Sequence, residues 1–327
     1  MDKQTVSAAS RPDRVRGKRD RGGQMPLFTH MRRNPFLYLI ALPGIVFYFV
    51  FSYMPMYGVL IAFKDFDLTK GILGSPWAGF RNFEFFLTSG KLGEVVYNTL
   101  FLNVLFLIGT TVFAVAIALF INEIRVKWFK RVSQSLIFLP YFMSWIVISM
   151  MVSAILGGQN PALNEWLALF GLPGADWMFT PEYWPWILLV IRIWQGSGYA
   201  AIIYLATITS ISDELYEAAR IDGASRRQIM VRITLPLLVP TISILTLIAV
   251  GKIFAGDFGM IYAIVGDNPL LYPTTDVIDT YVYRAMRQLN DFGMSAAVGL
   301  TQSVLGFILI IITNGIVRRF SKESSLF

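Results

Sequence analysis

The sequence contains no cysteine and one histidine, His30, in 327 residues. Without cysteine there is no disulfide framework and no thiolate metal site. One histidine in a hydrophilic tail removes imidazole acid–base chemistry and His-rich metal binding. Charge is scarce: Asp, Glu, Lys and Arg make up 15% of the chain, against 55% hydrophobic residues. A soluble domain of this length buries its core with far fewer apolar residues, so the excess has to face lipid. A phosphate-cradling loop is missing too. The nearest fragment, Ser89-Gly90-Lys91-Leu92, lacks the upstream glycine spacing and the following Ser or Thr. No H-E-x-x-H, G-x-S-x-G or carboxylate cluster stands at catalytic spacing within an apolar stretch. These absences predict a chain that is not an enzyme and binds no cofactor itself.

What is present is long apolar runs. A membrane helix needs roughly 20 mainly apolar residues, and six stretches qualify: Phe36–Phe63, Thr99–Ile121, Val132–Leu156, Trp184–Ile208, Leu237–Phe254 and Ala296–Val317. The expected fold is therefore an all-α integral membrane protein with six transmembrane helices. Pro43 and Pro55 predict that the first kinks or ends near Ser52. The domain layout reads as a basic tail over 1–34, a transmembrane domain over 35–317 and a C-terminal tail over 318–327.

The net charge of +7 is mostly local, with nine Lys or Arg in residues 1–33 against Asp2, Asp13 and Asp20. A basic tail can bind nucleic acid, but directly before a membrane span it reads as an orientation signal and a contact for anionic lipid. Between the second and third spans, Arg125, Lys127, Lys130 and Arg131 face one acid, Glu123. By contrast, 157–183 holds Glu165, Asp176 and Glu182 and no base, and 257–291 holds five Asp against Arg284 and Arg287. The asymmetry places both termini, and the polar stretch 210–236, on the cytoplasmic side. Residues 64–96 read as an interfacial helix plus loop, and Thr275–Leu289 as an external helix near the membrane.

Polar groups within the membrane are expensive and so informative. Arg192, Gln195 and Tyr199 fall on one helical face of the fourth span, flanked by Trp186 and Trp194. Lys252 and Asp257 lie at the outer end of the fifth span, and Thr301, Gln302 and Asn314 interrupt the sixth. One reading is a substrate pathway through Arg192, Gln195, Tyr199, Trp194, Lys252, Asp257 and Gln302. The other is interhelical glue, with Arg192 and Lys252 snorkelling or ion-paired to Asp257. Trp166, Trp177 and Trp184 are expected in the membrane-interface belt.

The stretch 210–236 reads as two short helices with a sharp turn. Ser210 with Asp213, and Ser225 with Gln228, have capping-box spacing, and Gly223 stands where a left-handed residue is needed. Its spacing carries more. Glu217-Ala218-Ala219, three residues, Gly223, nine residues, Ile233, one residue, Leu235-Pro236 resembles the EAA motif of ABC-importer permeases at all seven signature places. Asn34-Pro35, Leu42-Pro43-Gly44, Ala62-Phe63-Lys64-Asp65-Phe66, Trp77-Ala78-Gly79-Phe80 and Leu139-Pro140-Tyr141-Phe142 are similar to the polysaccharide-importer permeases of the LplB/YteP type and to permease subunits of alginate importers. The resemblance implies a MetI-like type I ABC importer permease in a bacterial cytoplasmic membrane. It implies a second, different permease subunit, two copies of an ABC ATPase that carry the ATP and Mg, and an extracellular solute-binding protein that delivers an oligosaccharide. Glu217, Ala218, Ala219, Asp222 and Gly223 would be the coupling helix that docks on the ATPase. Arg192 and Lys252 in the path suggest acidic, uronate-containing sugars. A channel or secondary transporter driven without ATP is the alternative; it calls for internal repeats or a coupling-ion site, and the sequence has neither.

Overall fold

The computed structural model describes Arg33, residues 35–88 and residues 90–320. The expected basic tail (Arg33 aside), Asn34, Ser89 and residues 321–327 lie outside the described residues. Two compact units divide the chain, residues up to Tyr57 and residues from Gly58 onward. Among the described residues everything regular is helical, apart from one isolated bridge between Lys64 and Trp77.

In the first unit, α1 (Pro35–Tyr48) carries Pro43 inside it, and its α-helical geometry stops close to Ser52, where a kink or an end was expected. The chain passes through a π-helical turn, Phe49–Tyr53, into a 3-10 stretch, Met54–Phe63. Pro55 explains the detour: it has no N–H and its ring crowds the carbonyl of residue 51. The widened turn, with the Met54 N–H donating to Phe49 O, absorbs both defects. No side chain of α1 or of this turn is buried, as suits a helix solvated by lipid or by a partner's apolar surface.

The second unit begins within that 3-10 stretch, at Gly58, and continues through an irregular segment to α2 (Arg81–Thr88), then α3 (Leu92–Glu123), which starts seven residues before the expected Thr99. The third span is a correction. It is not one helix over Val132–Leu156 but α4 (Lys127–Phe138) with a 3-10 turn, Leu139–Phe142, followed by α5 (Trp145–Leu156), bent by 95°. Pro140 denies the first helix a donor, and Ser144 starts the second by accepting from the Val147 N–H at 3.4 Å. At about 1.5 Å per residue the twelve residues of α5 cover about 18 Å, short of a bilayer core of about 30 Å. Among the described residues, five helices are long and apolar enough to cross a membrane, or six with the bent pair taken as one.

Next come α6 (Ala162–Leu169), α7 (Trp184–Thr209), α8 (Asp213–Ile221), α9 (Arg226–Ile229) and α10 (Leu235–Val250). Then follow α11 (Phe258–Val265), α12 (Ile278–Leu289) and α13 (Phe292–Phe320). The core runs between α3 and α7: Ala114, Val115 and Ala118 pack with Ala201, Tyr204, Leu205 and Ile208. Small residues let the backbones approach, which is how helices associate where lipid is as apolar as leucine. A second cluster gathers Leu102, Phe106, Ile148, Leu188 and Met260 around Trp184. Trp184 is therefore no interface residue: it is fully buried, and its Nε1 donates to Trp177 O at 2.8 Å. Trp177 donates in turn to Asn164 Oδ1, while Trp166 is exposed.

The expected external helix from Thr275 is divided. A single turn, Tyr272–Thr275, stops at Asp276-Val277, and α12 begins at Ile278. Side chains of α3 hold this break: Asn98 Nδ2 donates to Pro273 O and Asp276 O, and Thr99 Oγ1 accepts from the Ile278 N–H at 2.9 Å. Burial pushes the Asp276 carboxyl above its ordinary pKa, while Thr280 and Arg284 pull it down.

Candidate functional site

Two places in the second unit hold the functional residues expected from sequence: one beside the middle of α7, the other just beyond its C-terminal end. At the first place α10 stops at Val250, and residues 251–257 cross to α11 without regular helix. Non-helical backbone at membrane depth survives only where its polar groups find partners. Here they do. Asn103 Nδ2 donates to Ile253 O at 2.9 Å and Ala255 O at 3.1 Å, and Gln302 Nε2 donates to Phe254 O at 2.8 Å and Asp279 Oδ2 at 3.2 Å. The Gly256 N–H donates to the same Asp279 oxygen. Burial raises the Asp279 pKa, and the hydrogen bonds from Gly256 and Gln302 act the other way. Asp257 closes the strap twice over: Oδ1 caps α11 by accepting from the Met260 N–H at 3.1 Å, and Oδ2 accepts from Arg192 Nη1 at 2.9 Å.

Beneath this strap, between α3, α7 and α10, is a half-open cavity of about 560 Å³. Asn103, Phe106, Thr110, Tyr204 and Ile248 line it together with Arg192, Tyr199, Lys252 and Asp257. Four of the seven expected pathway residues therefore meet at one cavity. The other three do not line it. Gln195, one turn from Arg192, is buried with its Nε2 3.5 Å from Tyr141 O at the break of the third span. Gln302 ties the strap to α13. Trp194 is partly exposed elsewhere on α7. Arg192 pairs with Asp257, and its guanidinium lies 5.9 Å from the centre of the Trp145 ring. Lys252 is exposed, and among the described residues no carboxylate pairs with it. Asn103 and Asp279, which hold the strap, were not among the expected site residues. An amide in an apolar helix is a signal for the first; nothing local marks Asp279, whose partner Gly256 is 23 residues away.

Arg192 and Asp257 are 34% and 27% exposed, so solvent screens their attraction in part. Asp257→Ala is expected to cost about 2 kcal/mol, because it removes a helix cap and strands a cation together. A double-mutant cycle with Arg192→Ala, read by thermal unfolding in detergent, should give a coupling of about 1 kcal/mol. Additive single effects would contradict the pairing.

At the second place, beyond the C-terminal end of α7, α8 and α9 form the expected pair of short helices. The expected Ser210–Asp213 box is a correction: Ser212 is the N-cap, accepting from the Glu214 N–H at 3.3 Å, while Ser210 Oγ donates back to Thr207 O. Ser210 still belongs to the end of α7, so it has no free helix start to cap. Ser225 and Gln228 do form a reciprocal capping box. Between them Gly223 takes φ +76, with the Ala224 N–H donating to Ala219 O at 2.9 Å and the Gly223 N–H to Arg220 O at 3.1 Å. This pair of bonds is a Schellman motif. Glu217, Ala218, Asp222 and Gly223 are exposed, Ala219 is partly so, and Ile221 is 86% exposed. A bare isoleucine beside alanines makes a shallow apolar surface ringed by charge. Behind α8, Tyr216 Oη lies 3.3 Å from Thr234 Oγ1, and Arg226 lies 3.8 Å from Glu123 at the end of α3.

Residues 110–322 match the family described as binding-protein-dependent transport system inner membrane component. The chain belongs to this family. Among curated relatives of this permease, the polygalacturonan/rhamnogalacturonan transport system permease protein YteP of Bacillus subtilis (strain 168) is 33% identical over 300 residues, 91% of this chain and 92% of the relative. Protein LplB of the same organism is 34% identical over 299 residues, 90% of this chain and 92% of LplB. Among solved structures, the permease is similar to a chain of a bacterial ABC transporter involved in the import of the acidic polysaccharide alginate. That likeness has a TM-score of 0.81 at 33% identity, covering 90% of this permease and 99% of that chain. A second structure, the alginate transporter in complex with an alginate pentasaccharide-bound periplasmic protein, gives the same score and identity over 90% and 98%. The permease is a multi-pass membrane subunit of an ABC transport system with a MetI-like fold.

Proposed function

We propose that this permease imports oligosaccharides or short polysaccharides, acidic uronate-containing ones among them, through a heteromeric ABC complex. The observation that carries the reading is the pairing of two features along α7: a polar, cation-bearing cavity beside its middle and an exposed, double-capped docking helix just beyond its C-terminal end. The solute crosses between this chain and a second, different permease, after delivery by an extracellular solute-binding protein. ATP and Mg sit on two copies of a partner ATPase, and this chain hydrolyses nothing. Glu217 and Asp222 offer charge to basic groups of the ATPase, Ala218 and Ala219 permit close approach, and Gly223 turns the chain away. Both termini and α8 face the cytoplasm. Closure of the ATPase dimer pulls α8, and α7 transmits the movement to the cavity. The names of the curated relatives and of the alginate transporter support a polysaccharide cargo.

Affinity purification of the tagged permease from its native membrane tests this directly. Co-purification of an ATPase and a second permease, with ATPase activity stimulated by loaded binding protein, is the expected result. A lone homo-oligomer that transports without ATP would instead establish a channel or secondary transporter.

A further inference from the structure

The cavity holds two cations, and they are not equivalent. Arg192 is already neutralised: its Nη1 donates to Asp257 at 2.9 Å, and its guanidinium lies near the Trp145 ring. Lys252 lines the same cavity, exposed and without a carboxylate partner among the described residues. An ammonium at the edge of a membrane-embedded cavity is an unsatisfied charge that favours any anion able to enter beside it. The second feature is Tyr199. Tyr141, at the break of the third span, stacks on it with ring centres 4.5 Å apart and planes within 10°, which fixes the orientation of the ring. Tyr199 nonetheless stays 45% exposed and lines the cavity. A pyranose has a face of C–H groups that suits an aromatic ring, and a uronic acid adds a carboxylate at the ring edge. One such unit meets a ring face and an ammonium together. The volume, about 560 Å³, is in the range of sites that enclose a small molecule, roughly 300–1,000 Å³.

We propose that Tyr199 and Lys252 form a subsite for one uronate unit of the passing chain. Lys252 takes the carboxylate and Tyr199, backed by Tyr141, takes the sugar face. Arg192 is a positioning residue: it holds Asp257, and through it the start of α11, and makes no salt bridge to substrate. This subsite rests on the import of oligosaccharides proposed above and assigns the acidic preference to one side chain.

The test uses the complete complex in proteoliposomes. Two probes of equal length are compared, a uronate oligomer and the same oligomer with its carboxylates methyl-esterified. The same solute-binding protein loads wild type and variant, so any change in relative half-saturating concentration belongs to this chain. Lys252→Gln should lower the preference for the free acid about tenfold, the size of one charge-assisted hydrogen bond. Lys252→Arg should retain the preference. Tyr199→Leu should weaken both probes together. If Lys252→Gln assembles poorly, ionic strength decides on the wild type: the preference should fall as salt rises. An unchanged preference in assembled Lys252→Gln, or a salt-insensitive one, overturns the subsite. A wild-type complex stimulated by neither probe overturns the import reading beneath it.

Discussion

Gly223→Val will reduce transport at least tenfold while the permease still inserts in near-normal amounts. The glycine takes φ +76 in open space, so no clash with a neighbour is involved; the strain is in the backbone itself. A β-branched residue there costs about 1–3 kcal/mol. A nine-residue helix has little stability of its own to set against that, since isolated helices shorter than about 12–15 residues are marginal in water. The Schellman bonds to Ala219 and Arg220 open first, and they fix the direction in which Ala218 and Ile221 are presented. Gly223→Asn, which tolerates the left-handed region, should keep most of the activity. Uptake assays, with permease quantified in the membrane, separate the two cases. Equal transport by the valine and asparagine variants would sink the coupling role of this turn.

The second large effect is expected far from α8. At Gly198, in the middle of α7, an added Cβ would stand 2.1 Å from the carbonyl oxygen of Ile137. The obstacle is backbone, so no rotamer change relieves it. Gly198→Val must push α4 away from α7, which separates the Tyr141–Tyr199 stack and the contact between Gln195 and Tyr141. Overpacking of this kind costs typically 1–3 kcal/mol, so the apparent melting temperature in detergent should fall by roughly 2–10 °C, and transport should fall with it. Gly299→Ala is the matched control: it lies within α13 with no atom within 4 Å of the added carbon. It should be neutral or slightly stabilising, because alanine is the better helix former. A Gly198→Val protein as stable as wild type would show that the tight crossing is not required.

These two glycines differ in how far the sequence announced them. Gly223 stands in a spaced motif, after a short amphipathic helix and before a Ser–Gln capping box, and each of those signals is local. The turn was legible because helix caps depend on residues within four positions of one another. Gly198 has no such mark, since its constraint comes from Ile137, on another helix. The site divides the same way. Arg192, Tyr199, Lys252 and Asp257 were recognisable as costly polar groups in apolar runs, and they meet at the cavity. Gln195 and Gln302 had the same signal, yet they satisfy backbone carbonyls instead. Helical spacing places residues on a face without saying what that face meets.

By itself, then, the sequence determined a membrane-embedded helical permease, because apolar length and the spacing of the 217–236 stretch are properties of contiguous residues. The break of the third span has local causes, Pro140 and the Ser144 cap, which the apolar length of the stretch hid. Tertiary structure alone decided two matters. It buried Trp184 rather than leaving it in an interface belt. It paired Asp257 with Arg192, 65 residues earlier, and left Lys252 without a counter-ion among the described residues. The reason is common to both. Which polar group satisfies which depends on helices brought together across long separations, and a lone pair or a charge finds its partner only once the backbones have packed.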